Sequence, residues 1–382
     1  MGEAKNVFQK DCECRYIPGM DAEVNYVSKL RNVSTDFIDR VLMTDEVSKT
    51  DFFYLRAVTF YRIATAEMVA EYIRYFRWYY GASECTSLLQ PNVSSKAVDP
   101  LVREEDYQRD AAEIRSRLNR LAKKYLLFSY TVNNEDAPEG YGGIVFCANY
   151  TTFSLVKTFF GETPCFSDDG IGYERYYCIT PVQRMMESLH ACRVGILGFM
   201  YHTPRVRLLR EKEIIYGAQK SRYTPTMIAE LKSRGYDYKI IIEPIHFSVD
   251  ERILTKTEHR QNIETLISTM GKLINHYNYM EKNFQAKPIK ERIRFLIAVE
   301  NLEGMKQVVQ LMNPHREKYS GKVFFTTDTA LRETESLLES VLMAKEVPSK
   351  ISGDLHLGLV RPSKESLAAT QNEWVLSNLQ EK

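Results

Sequence analysis

The chain has 382 residues, a length typical of two or three domains. Hydrophobic residues make up 44% of it and charged residues 26%, which excludes a largely disordered, collagen-like or disulfide-scaffold protein. The net charge of +1 neither requires nor excludes a nucleic-acid partner. Because the apolar runs are short and no signal peptide is visible, we expect a cytoplasmic protein without a membrane partner.

Composition and periodicity together predict an α/β (α+β) chain with four parts. These are an N-terminal helical segment over residues 1–50, a helix-and-hairpin domain over 51–163, an α/β domain over 170–347 and a tail over 348–382. The seven cysteines are irregularly spaced, so we expect reduced, mostly buried thiols.

The second part begins with apolar residues at helical spacing. Asp51 is expected to cap a first helix and Thr65 a second one, since short polar side chains favour helix starts. Residues 81–100 are rich in Ser, Gly and Pro and predict a loop.

The most informative pattern lies at residues 106–127. Apolar residues recur there every three or four positions and define one face of a helix: Ala111, Ile114, Leu118, Leu121 and Tyr125. The other faces carry only basic and neutral polar side chains near the helix end: Arg115, Ser116, Arg117, Asn119, Arg120, Lys123 and Lys124.

Two strands, at 128–132 and 142–148, follow this helix and flank a turn-rich tip at 133–141. Two helices, a basic helix and a hairpin in that order are typical of a winged helix-turn-helix. We therefore predict that the basic and neutral polar set binds double-stranded DNA. Winged helices also serve as protein-interaction modules, and that alternative stays open.

Strand and helix patterns alternate in the third part. Strands are predicted at 205–216, 240–247, 294–299 and 322–327, and helices from 181, at 259–279 and at 304–312. The helix at 259–279 carries a full amphipathic stripe of apolar residues. This alternation predicts a parallel or mixed sheet with helices packed on it.

One constellation in this part fits a nuclease with a restriction-endonuclease-like fold. Such nucleases place carboxylates on two strands, with a lysine two residues after the second, to hold Mg²⁺ and activate water. Asp237 and Lys239 have that spacing, and Glu213 is the candidate for the earlier acid. These residues are the weak catalytic candidates, and only this alternative requires Mg²⁺. No other metal or cofactor is expected.

Other catalytic motifs are weak or missing. His190 and Arg193 match the H-x-x-R spacing of tyrosine recombinases, but no second arginine or nucleophilic tyrosine stands out, so surface residues or packed partners are expected. The sequence contains no P-loop, no dinucleotide-binding glycine motif and no H-E-x-x-H.

Three stretches resemble the replication-relaxation proteins of bacterial plasmids and integrative elements. Residues 115–127 resemble the recognition helix, 188–190 the helix that opens the second domain, and the helix with Lys272 and Tyr277 the one after the family's acidic strand. The resemblance spans about residues 50–330. It implies a winged helix and a restriction-endonuclease-like domain that act in plasmid or transposon maintenance.

The sequence departs from that family at residues 253–259, where Glu258 is the one acid left at the expected acidic strand end. We therefore expect an inactive second domain. The preferred interpretation is a DNA-binding, non-catalytic protein of a bacterial mobile element (plasmid, integrative element or phage) that acts in replication, transfer or its regulation. This interpretation is compatible with a homodimer and with a protein partner for the second domain. The alternatives are a metal-dependent DNA endonuclease and a non-catalytic protein-binding regulator or inhibitor.

Overall fold

A computed structural model of the chain describes residues 7–10, 24–26, 36, 40, 44, 47–61, 63–70, 72–73, 104–132, 143–148, 150–160, 190–195, 198, 207–210, 212–233, 236–247, 255–283, 291–334, 339–349 and 353–362. The chain forms two compact units. We call Gly19–Met185 the hairpin unit, and Met1–Pro18 together with Met186–Lys382 the sheet unit. No helix among the described residues is long and apolar enough to cross a membrane.

The hairpin unit contains a four-stranded antiparallel sheet in the order β1-β3-β4-β2. Its elements are β1 (Val24–Tyr26), α1 (Lys49–Tyr61), β2 (Ile63–Ala64), α2 (Glu104–Lys123), β3 (Leu127–Val132), β4 (Gly143–Ala148) and α3 (Tyr150–Phe160). Residues 66–70 and 72–73 are also helical. The predicted helices and hairpin are thus present in the predicted order, while the hairpin tip at 133–141 lies outside the described residues.

The start of α1 corrects one expectation. Ser48, not Asp51, is the capping residue, because its Oγ accepts a hydrogen bond from the Asp51 amide at 3.1 Å. Asp51 occupies the third helical position, and its Oδ2 accepts a hydrogen bond from the Ser48 amide at 3.0 Å. This reciprocal pair is a capping box. Thr65 caps the next helix as expected, since its Oγ1 accepts from the Met68 amide at 3.3 Å.

The apolar face of α2 is confirmed except at its end. Ala111, Ile114, Leu118 and Leu121 are buried, but Tyr125 is exposed. The helix ends at Lys123, and Tyr125 adopts a left-handed φ of 63°. The Leu126 amide then bonds back to the Leu121 carbonyl at 3.0 Å, as in a Schellman motif. The reversal carries Tyr125 off the apolar face, so its predicted core position was wrong.

The sheet unit is built on a seven-stranded mixed sheet in the order β13-β12-β11-β10-β9-β8-β5. Its elements are β5 (Arg207–Arg210), β6 (Ile214–Tyr216), β7 (Ser221–Tyr223), β8 (Met227–Ser233), β9 (Tyr236–Ile245), α4 (Lys256–Asn283), β10 (Glu291–Val299), α5 (Leu302–Met312), α6 (Arg316–Tyr319), β11 (Val323–Thr326), α7 (Asp328–Glu333), β12 (Leu342–Pro348) and β13 (Leu355–Val360). The three central strands, β9 to β11, are parallel, and the remaining pairs are antiparallel. The predicted mixed sheet is confirmed.

One hydrophobic core joins this sheet to α4 and α5. The apolar stripe of α4 is buried on the sheet as its periodicity predicts, and β10 is buried along nearly its whole length. Two further segments that the sequence pattern did not assign to this sheet also belong to the unit. Phe8 is buried in the core and its carbonyl accepts from the Leu302 amide at 2.6 Å. Strand β13 lies within the predicted tail at 348–382.

The middle of α4 yields a test of this packing. A methyl group on Gly271 would lie 2.8 Å from the Tyr319 hydroxyl oxygen, which donates to the Ile267 carbonyl at 3.0 Å. In an open helix, Gly→Ala stabilises by about 1 kcal/mol. Here we expect Gly271→Ala to lower the free energy of unfolding by about 1–2 kcal/mol, because the buried hydroxyl loses its partner.

Urea unfolding of the full chain measures this effect. In a Tyr319→Phe background the hydroxyl is absent, so Gly271→Ala should become neutral or stabilising. Stabilisation by Gly271→Ala in the otherwise unchanged chain would contradict the assigned contact.

Candidate nucleic-acid interface and polar clusters

The predicted DNA-binding residues occupy the C-terminal half of α2 and the turn after it. The structure exposes Arg115, Ser116, Arg120 and Lys123, and partly buries Arg117, Asn119 and Lys124. They therefore differ in how far a ligand can reach them.

Arg115 forms an ion pair with Glu67. Its side chain is 49% exposed, whereas that of Glu67 is 13% exposed. Glu67 belongs to the helical residues 66–70, so the pair joins α2 to the helix before it. The positive charge of Arg115 is thus already matched by a carboxylate.

Arg117 is held more firmly. Its guanidinium lies 3.6 Å from Asp51 Oδ1 and 3.5 Å from Glu113 Oε1, and its Cζ lies 5.9 Å from the Tyr54 ring centroid. The side chain is only 26% exposed. Since Asp51 and Tyr54 belong to α1, Arg117 fixes α2 against α1 and is not available as a free phosphate ligand.

Arg120 and Lys123 are different. Both are exposed in the last turn of α2, and in the described part of the chain neither side chain forms an ion pair. Cations at a helix C-terminus interact favourably with the helix dipole, so these charges stabilise α2 while remaining open to solvent. They are the strongest anion-binding candidates of the predicted set.

The structure brings two of the three nuclease candidates together. Glu213 and Lys239 line one cavity of about 350 Å³ with Glu230 and Glu291, whereas Asp237 is not among its lining residues. Glu230 on β8 lies directly opposite Lys239 on β9. Sequence reasoning missed Glu230, because its position depends on the register of β8 on β9.

Each acid in this cavity faces a base. Lys239 Nζ lies 2.9 Å from Glu291 Oε2, Lys212 Nζ lies 3.2 Å from Glu230 Oε1, and Arg222 Nη1 lies 3.4 Å from Glu213 Oε1. Burial lowers the pKa of Lys239, but Tyr277, Glu291 and Glu230 outweigh it and place that pKa above its ordinary value. Within the described residues, no group of three His, Cys, Asp or Glu side chains could hold a metal ion.

Glu258, the acid left in the stretch 253–259, has a capping role. Its Oε2 accepts from the Thr255 amide at 2.9 Å, and its own amide donates to Thr255 Oγ1 at 3.2 Å. The hydrogen bonds from the Thr255 amide and hydroxyl lower the pKa of Glu258. This carboxylate therefore stabilises the start of α4.

A third cluster lies at the carboxyl ends of β9, β10 and β11. Its members are the buried side chains of His190, Arg193, His246, Glu300 and Asp328. His190 Nδ1 and His246 Nε2 are 2.9 Å apart, and Arg193 Nη1 lies 3.4 Å from Asp328 Oδ2. Of the two expected placements of the H-x-x-R residues, on the surface or packed, the structure has the packed one, inside the sheet unit.

Both histidines are held in their neutral form. Burial is the main cause that lowers the pKa of His190 and of His246, and their proximity lowers the pKa of His190 further. Because the side chains are buried, this cluster forms a fixed internal network that links the strand ends to the helical residues 190–195.

This network predicts a pH dependence of stability. The folded chain favours the neutral imidazoles, so below about pH 6.5 the unfolded chain binds more protons, and the free energy of unfolding falls as the pH falls. Each such group contributes a slope of about 1.4 kcal/mol per pH unit. Urea unfolding between about pH 7 and 4.5 should show a flatter slope for His190→Gln than for the wild type. Parallel curves for the two proteins would show that His190 is not held neutral.

The chain matches no protein family, no curated protein and no solved structure. The likeness of three stretches to replication-relaxation proteins therefore stays a prediction from the sequence. The charges and the packing of α2 are the features that bear on function.

Proposed function

We propose that the hairpin unit is a winged helix and that it binds double-stranded DNA through the C-terminal half of α2. The order of α1, β2, the helical residues 66–70 and 72–73, α2 and the β3-β4 hairpin, with β2 paired to β4, supports this fold. In such domains the second of the paired helices enters the major groove. The observation that carries the proposal is that Arg120 and Lys123 are exposed and form no ion pair with any described residue.

The neighbours of these cations favour a nucleic acid. Ser116 and Asn119 each precede one of the two cations by four positions, so they lie on the same side of the helix. Hydroxyl and amide groups donate to phosphates and to base edges. In the described part of the hairpin unit, Tyr125 is the only exposed large hydrophobic side chain.

The role in a bacterial mobile element is supported by the resemblance of residues 115–127 to replication-relaxation proteins. In this proposal the sheet unit is a non-catalytic, restriction-endonuclease-like domain that positions a partner or a second protomer. Support comes from the succession of β5, β8 and β9, then α4, then β10 beside β9. The ion pair between Lys239 and Glu291 supports the loss of catalysis, since it neutralises the would-be catalytic lysine.

Removal of the two exposed cations that form no ion pair with a described residue, Arg120 and Lys123, tests the interface. We expect Arg120→Ala with Lys123→Ala to weaken binding to a labelled duplex about tenfold near physiological salt, because about two phosphate contacts are lost. Fluorescence anisotropy measures the affinity, and thermal melting verifies folding.

A matched control removes two exposed lysines from the sheet unit, Lys212→Ala with Lys306→Ala, and changes the net charge equally. This control should bind like the wild type. If the folded α2 variant also binds like the wild type, α2 is not the interface.

One observation favours the metal-dependent endonuclease as a second candidate. Glu230 and Asp237 place carboxylates on adjacent strands, and Lys239 follows the second by two residues. Because Glu230 and Lys239 are engaged in ion pairs, we expect the purified chain with Mg²⁺ to leave supercoiled plasmid intact. Nicking that is lost in Lys239→Ala would overturn this expectation and establish the nuclease.

A further inference from the structure

We infer that Glu67 competes with DNA phosphate for Arg115 and thereby limits the affinity of the hairpin unit for DNA of any sequence. The inference rests on the DNA-binding function proposed above. It assigns a regulatory role to a residue outside the predicted interface.

The two partners differ in their freedom to move. Glu67 is 13% exposed and lies in the first turn of the helix capped by Thr65, where a helix N-terminus favours a negative charge. Arg115 is 49% exposed on the long surface of α2. The carboxylate is therefore the fixed member of the pair, and the guanidinium is the one that can turn towards a ligand.

Arg117 provides the contrast. It contacts Asp51, Glu113 and the ring of Tyr54, and it is the more buried of the two arginines. Within the described residues, the one ion-pair partner of Arg115 is Glu67. Of Arg115 and Arg117, Arg115 is thus the one whose availability to a ligand depends on a single carboxylate.

The energetic balance makes the competition effective. A partly exposed ion pair contributes about 0–1 kcal/mol, so a phosphate can replace Glu67 as the partner of Arg115. The released carboxylate then remains beside the bound phosphate and repels it. This penalty applies to every phosphate, so it acts most on binding that depends on phosphate contacts alone.

The test substitutes Glu67→Gln, which removes the charge and preserves the size. We expect affinity for a random-sequence duplex to rise about fivefold to tenfold, and the slope of log K against log[salt] to steepen by about one, because Arg115 neutralises one more phosphate. Fluorescence anisotropy titrations at several NaCl concentrations give both values.

Glu113→Gln is the matched control. It changes the net charge equally, it is 67% exposed on α2, and its partner is Arg117. It should have a smaller effect than Glu67→Gln. In an Arg115→Gln background, Glu67→Gln should lose most of its effect, because the residue that mediates it is absent. If Glu67→Gln melts early, Glu67→Asp serves instead, since it withdraws the carboxylate from Arg115 and retains the charge at the helix start.

The outcomes separate the two proposals. Equal gains for Glu67→Gln and Glu113→Gln, or no gain for a folded Glu67→Gln in a wild-type protein that binds DNA, would overturn the competition and leave DNA binding intact. Failure of both the wild type and Glu67→Gln to bind duplex in a salt-dependent manner would overturn both proposals. Binding by Glu67→Gln alone would support both.

Discussion

The pairing of the α2 cations with carboxylates, most of them on neighbouring helices, is the constraint on which the proposed function depends. A surface can attract a polyanion only with cations that its own acids have not neutralised. Asp51 and Glu113 hold Arg117, and Glu67 holds Arg115, so these arginines first serve to orient α2 on the helices before it. Among the described residues, the exposed cations of α2 that form no ion pair are Arg120 and Lys123 in its last turn.

In the sheet unit, the charged and polar side chains described above are paired with one another. Lys239 is matched by Glu291, Arg193 by Asp328, and His190 by His246. Such internal pairs hold neighbouring elements of the unit in a fixed arrangement.

The elements that depend on local periodicity could be predicted from the sequence. The apolar face of α2, the hairpin after it and the amphipathic stripe of α4 are all present, because burial of one helix face leaves a repeat that a sequence shows directly. The same reasoning placed Tyr125 in the core, since a periodicity does not reveal where a left-handed residue ends the helix.

Contacts between distant residues could not be predicted. Glu67 and Asp51 lie far from α2 in sequence, and no spacing rule links them to Arg115 and Arg117. The opposition of Glu230 and Lys239 depends on strand register, and the position of Phe8 depends on burial in the core and on a hydrogen bond with the start of α5. A charge count along α2 therefore overestimates how many of its cations a ligand can reach.

The salt dependence of duplex binding by the unmodified chain tests the central claim most directly. With Arg120 and Lys123 as phosphate ligands, log K should fall linearly with log[NaCl], with a slope of about −2 or steeper. A slope indistinguishable from zero, or no measurable binding at low salt, would contradict the account.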